Sequence, residues 1–166
     1  VAAAVALGLA RRARGGPVPG QARPLLAALV VSIVLFGTGG VIGFLIEGSN
    51  VRIPAHYHGA IVGVTIAMMG LTYWLLPRLG AAAPRAKLAV WQSVLYGAGQ
   101  VMHISGLLWS GGYGVQRKVA GAEQALVTLP QKLGMGMMGL GGLIAIIGGL
   151  MFVLICLKAM SARQGR

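Results

Sequence analysis

Residues 54–76 read PAHYHGAIVGVTIAMMGLTYWLL. The run carries no Asp, Glu, Lys or Arg, and at about 1.5 Å per residue it is about 35 Å long, enough to cross a bilayer core of about 30 Å. Its apolar positions are continuous rather than alternating, which predicts a membrane helix and not a barrel strand. At its mouth stands His56-Tyr57-His58. Positions i and i+2 of a helix lie about 200° apart around the axis and about 3 Å apart along it. The two imidazoles therefore point to nearly opposite sides of one helix at nearly one depth. They cannot clamp one metal ion from one face, but they can hand one ligand to each of two cofactors.

The rest of the chain fits the same environment. Of 166 residues 57% are hydrophobic and 10% charged, against roughly 25% charged in a soluble domain, and the mean hydropathy is +0.81. The 28 glycines recur inside the apolar runs, as close helix–helix contact in lipid requires. The formal charge of +12 does not point to nucleic acid, because the basic residues sit in short loops with no aromatic platform among them. Cys156 is the single cysteine. It excludes an intrachain disulfide and a thiolate metal site and reads as a small buried hydrophobe.

The pattern predicts an all-α, polytopic transmembrane bundle over residues 1–166, with four full spans and the end of a fifth. Val1–Ala10 is half a span, followed by Arg11, Arg12 and Arg14. It reads as the tail of a helix whose beginning lies upstream, and the chain as the C-terminal portion of something larger. The full spans are expected at Pro24–Ile46, Pro54–Leu76, Leu88–Trp109 and Pro130–Leu157, with Glu47-Gly48-Ser49-Asn50 and Ser110-Gly111-Gly112 as breaks. Ten Lys and Arg (11, 12, 14, 23, 78, 85, 87, 158, 163, 166) then fall on one side and four (Arg52, Arg117, Lys118, Lys132) on the other. The ten-charge side is expected to be cytoplasmic, which puts His56 and His58 near the periplasmic surface of a bacterial-type inner membrane. Trp109 and Tyr113 mark that interface, and Trp74 and Trp91 the inner one.

Ionisable groups within membrane helices are costly and mark functional sites. A single interfacial histidine is readily satisfied by water and loop backbone. Two at i, i+2, flanked by the small residues Ala55 and Gly59, suit ligation of flat macrocycles, with haem the first candidate. His103, alone in the third span, reads as a hydrogen-bonded structural residue. Arg117 and Lys118 are either a solvated loop pair or a clamp for carboxylates such as haem propionates. Met135, Met137 and Met138 read as packing rather than thioether ligands.

His56-Tyr57-His58 followed by an inward span resembles helix X of the catalytic subunit (subunit I) of haem-copper oxidases, a twelve-helix fold. The resemblance runs along the whole chain, from the end of helix VIII to helix XII. Met102-His103-Ile104-Ser105-Gly106-Leu107 is similar to the Met-His-Phe-Leu-Gly-Leu stretch of helix XI, whose histidine ligates no metal. The resemblance implies that His56 ligates the iron of the high-spin, oxygen-reducing haem and is the catalytic residue. It implies that His58 ligates the low-spin haem iron, and that Tyr57 packs between the macrocycles. Arg117 and Lys118 would hold propionates, although the family has two arginines there and a shorter connection. Where many members carry a His-Asp pair for magnesium this chain has Gly48-Ser49-Asn50, so no magnesium site is assigned. That feature, with His58-Gly59-Ala60-Ile61-Val62-Gly63, is closer to the cbb3-type and nitric oxide reductase-like branches.

The implied function is the C-terminal part of a respiratory terminal oxidase, a cytochrome c oxidase-like oxidoreductase of aerobic respiration. Its electron transport reduces oxygen to water and is coupled to proton transport. Its cofactors would be two haems, and a copper ligated outside this chain. The three histidines present cannot complete the binuclear centre, and the fragment alone would be inactive. Glu47 and Glu123 both lie outside the spans, so the proton channels belong elsewhere. Partners would be the N-terminal helices of the subunit, other oxidase subunits, cytochrome c or a similar donor, oxygen and membrane lipid, with no nucleic acid. The alternatives are a nitric oxide reductase of the same superfamily, a non-catalytic diheme electron carrier, and a structural membrane subunit.

Overall fold

A computed structural model describes residues 19–119 and 121–162. The run Val1–Ala10, its following arginines, Arg163 and Arg166 lie outside the described residues. Four long helices follow one another: α1 (Arg23–Gly43), α2 (Arg52–Leu75), α3 (Ala86–Gly112) and α4 (Leu129–Ser161). Short 3-10 turns precede α1 (Gly20–Ala22), follow α2 (Leu76–Leu79) and interrupt the α3–α4 connection (Gly121–Glu123). No strand occurs among the described residues. One isolated antiparallel bridge joins Asn50 to Gln116.

The helix starts follow local chemistry. Pro24 and Pro130 occupy the first turn of α1 and α4, where a missing N–H costs nothing. Gln131 reaches back so that its Oε1 accepts from the Thr128 and Val127 N–H groups at 3.1 and 2.9 Å, satisfying donors that the first turn leaves free. Gly80, at φ 85°, closes the turn after α2 in a left-handed conformation. Ser110-Gly111-Gly112 does not break α3 as expected; the helix continues through Gly112. Gly111 is buried, and a Cβ there would lie 2.6 Å from Arg52 Cγ. It is a contact glycine, not a helix terminator.

Three helices are long and apolar enough to cross a membrane: Gly20–Gly43, Arg52–Leu79 and Leu129–Ser161. α3, expected as a fourth span, is as long but less apolar. It packs on α1, α2 and α4, and its polar side chains face those neighbours. Gln92, Ser93 and Ser110 are fully buried. The Gln92 carboxamide links three helices: its Oε1 accepts from Tyr73 Oη on α2 at 3.0 Å, and its Nε2 donates to Gly148 O on α4 at 3.2 Å. A helix shielded by protein can carry polar groups that a lipid-facing one cannot.

Packing is strongest within two antiparallel pairs, α1 with α2 and α3 with α4. The first closes where Gly39 meets Gly59: a Cβ on Gly39 would lie 2.6 Å from Ala60 N and 2.8 Å from Gly59 C. Only two glycines allow backbones this close. Outward faces are apolar, with Phe36, Val41 and Phe44 on or just after α1 and Leu140, Ile146, Leu150 and Leu154 on α4 all exposed. Such surface is a liability in water and costs nothing against lipid tails.

Candidate functional site

The N-terminal end of α2 carries His56 and His58, and the fold anchors each differently. His56 turns toward α1, where its Nδ1 lies 2.8 Å from Gly39 O. Gly43 makes room for the ring, since a Cβ there would be 2.9 Å from His56 Nδ1. His58 bonds within its own helix, Nδ1 to Pro54 O at 2.8 Å. It turns toward α3, with its ring 5.2 Å from that of His103. The two imidazoles thus face different neighbours.

A carbonyl oxygen only accepts, so Nδ1 is the donor in each ring, and in the neutral imidazole the lone pair is then on Nε2. This is the arrangement of a metal-ligating histidine, whose second nitrogen donates to a backbone carbonyl and fixes tautomer and orientation. Both rings are half-buried, and neither Nε2 has a hydrogen bond among the described residues. Tyr57 is 42% exposed and stacks on His58 at 5.0 Å. It opens a helical stripe, Tyr57-Ile61-Val64-Met68-Leu71, that the described residues leave uncovered.

His103 is hydrogen-bonded, as expected: its Nδ1 meets Met138 O across the α3–α4 interface at 3.0 Å. Its ring contact with His58 is new, because nothing in either local sequence sets that register. Met135 and Met138 pack against the main core, as expected. Cys156 is free and half-buried, packed beside the Tyr73 cluster. No group of three or more His, Cys, Asp or Glu side chains gathers as a metal site among the described residues. An axial haem ligand needs only one imidazole from this chain.

Three cations stand on the segments that meet at this end of α2. Val51 N donates to Val115 O at 3.1 Å, next to the Asn50–Gln116 bridge, and this pins the loop holding Arg117 and Lys118 to the start of α2. Arg117 is half-buried, and its Nε is buried without a partner. Lys118 is exposed, with φ at 61°. Arg52, counted from sequence only as a loop charge, is the first residue of α2. Its Nη1 donates to Leu45 O at 2.9 Å and lies 3.8 Å from Glu47 Oε2, yet its Nε is buried and unpartnered. The one sequence signal for it is its place four residues before His56. At the other end of α2, Arg78 lies over the Trp74 ring at 3.5 Å, where a cavity of about 710 Å³ opens between Tyr73, Trp74, Arg78 and Pro84.

Comparison with solved structures finds a similar fold. It is similar to that of part of a haem-copper terminal oxidase. A chain of such an oxidase dimer, solved by cryo-electron microscopy, superposes with a TM-score of 0.74 over 86% of this chain at 18% identity. The match uses 28% of the oxidase chain. Among curated sequences, an uncharacterized protein of Rickettsia prowazekii (strain Madrid E) is 44% identical over 151 residues. That alignment takes in 82% of this chain and 28% of the relative. An uncharacterized protein of Aquifex aeolicus (strain VF5) is 38% identical over 52 residues, which is 31% of this chain and 14% of the relative. The chain thus spans less than a third of the length of the proteins it matches. No protein-family model matches it.

Proposed function

We propose that this chain is the C-terminal portion of subunit I of a respiratory haem-copper terminal oxidase, an enzyme of a bacterial-type inner membrane. The observation that carries the reading is the pair of backbone-anchored imidazoles: one helix turn presents two rings to different neighbours, each with its Nε2 free. His56 would ligate the high-spin haem, where turnover occurs, and His58 the low-spin haem. Haem bound there supplies one-electron transfer and the reduction of oxygen to water.

The chain's own residues position and insulate. The Gly39 and Pro54 carbonyls hold the two rings in their tautomer, and Tyr57 stacks beside His58. Arg117, with a buried N–H unused, is suited to a propionate carboxylate, and Lys118 adds charge from the same loop. Copper, the second low-spin ligand and the proton path for translocation belong to helices outside this chain. Those helices, other oxidase subunits and a donor such as cytochrome c would complete the assembly, with the histidine end toward the periplasm.

The test uses the full-length protein. His58→Ala is expected to abolish the low-spin signal in reduced-minus-oxidised spectra. His56→Ala is expected to abolish oxygen turnover while largely keeping that signal. A full low-spin signal in His58→Ala, or unchanged turnover in His56→Ala, would defeat the assignment.

A further inference from the structure

We infer that Arg52 is a second carboxylate-binding residue of the histidine site, which together with Arg117 holds the propionate edge of the haem ligated at His56. The inference rests on the haem reading above. Arg52 stands four residues before His56, which places it about 40° round the same helix and about 6 Å nearer the α2 end. Its guanidinium is wedged between the two other chain segments at that end. Nη1 donates to Leu45 O after α1, and Cβ atoms on Gly111 and Gly112 of α3 would meet its Cγ at 2.6 Å and its Nη2 at 3.1 Å.

Of five guanidinium N–H donors, one is spent on Leu45. Glu47 does not satisfy the rest: its carboxylate is 89% exposed and 3.8 Å from Nη1, a screened contact. Nε is buried and empty-handed, as is Nε of Arg117. These two residues lie on the two segments that the Asn50–Gln116 bridge holds side by side. Two like charges on adjoining segments, each with a buried unused donor, call for an anion. A planar carboxylate matches the guanidinium fork. A haem ligated at His56, one turn away, would supply carboxylates to this end, whereas the only acid there among the described residues, outside the α3–α4 loop, is the exposed Glu47.

The experiment replaces Arg52 in the full-length, haem-loaded protein, with haem labelled by carbon-13 at the propionates. In Arg52→Gln the midpoint potential of the high-spin haem is expected to fall, because a cation near the carboxylate stabilises the reduced form, and the labelled infrared bands are expected to shift. Arg52→Lys, which keeps the charge but loses the fork, is expected to restore most of the potential while the bands stay shifted. Normal haem content with unmoved potential and bands overturns the inference. So does lowered thermal stability alone, which makes Arg52 a latch on Leu45. Shifted bands confined to unlabelled protein carboxylates also overturn it, assigning the anion to another segment. If Arg52→Gln does not assemble, Arg52→Lys decides: unchanged labelled bands overturn the inference. Absence of haem at His56 would defeat the functional reading instead, so the two failures are distinct.

Discussion

Replacing Gly39 by Ala and, separately, its neighbour Gly40 by Ala tests the packing that builds the site. A Cβ on Gly39 would lie 2.6 Å from Ala60 N. Ordinary van der Waals contact begins at 3.4 Å, so α1 and α2 must part by about 0.8 Å (3.4 − 2.6) to admit the methyl group. The neighbours are backbone atoms of α2 and His56 O, which no rotamer change can relieve. Overpacking of this kind costs about 1–3 kcal/mol. The same movement lengthens the 2.8 Å bond from His56 Nδ1 to Gly39 O toward about 3.6 Å, beyond useful hydrogen-bond range, at a further cost of about 1 kcal/mol. A Cβ on Gly40 meets nothing within 4 Å, so Gly40→Ala gains up to about 1 kcal/mol of helix propensity. Gly39→Ala gains the same propensity, so the pair should differ by the overpacking and hydrogen-bond costs, about 2–4 kcal/mol, in the unfolding of detergent-solubilised full-length protein. On the proposed haem reading, Gly39→Ala alone should lose spectral intensity from the haem assigned to His56. Equal effects of the two substitutions would refute both the close approach and its role in aiming His56.

Two further predictions concern the bundle. Gln92→Leu leaves the buried Tyr73 hydroxyl without its acceptor and should lower stability by about 1–2 kcal/mol. With Tyr73→Phe, the double-mutant cycle should give a coupling of about 0.6 kcal/mol, in line with interhelical bonds in membranes; a coupling of zero would remove the bond from the account. Topology reporters should place the loop of Arg117 and Lys118 outside the cell and the turn at Arg78 inside. The reverse result would sink the charge-based orientation.

How far the sequence could be read follows from how local each signal is. The α1 and α4 spans were expected at Pro24–Ile46 and Pro130–Leu157, and the helices run Arg23–Gly43 and Leu129–Ser161. Hydropathy and the prolines of the first turn are properties of a short window. α3 shows the limit. Its helix is where expected, but Gln92 and His103 lower its apolarity because they answer to partners on other helices, 56 and 35 residues away along the chain. Arg52 was missed for the same reason: as a residue in a loop it is one charge among four, and only the fold reveals a buried Nε.

The sequence by itself determined that this chain forms long membrane helices. It also determined that His56 and His58 leave one helix in different directions, because 100° per residue is fixed by the backbone. It did not determine what either ring meets. That Gly39 O anchors His56, that His103 lies against His58, and that the segments of Arg52 and Arg117 are bridged side by side depend on the register between helices. Register is set by small residues on both partners fitting together at once. No window along a single helix contains that information, and the tertiary structure alone decided it.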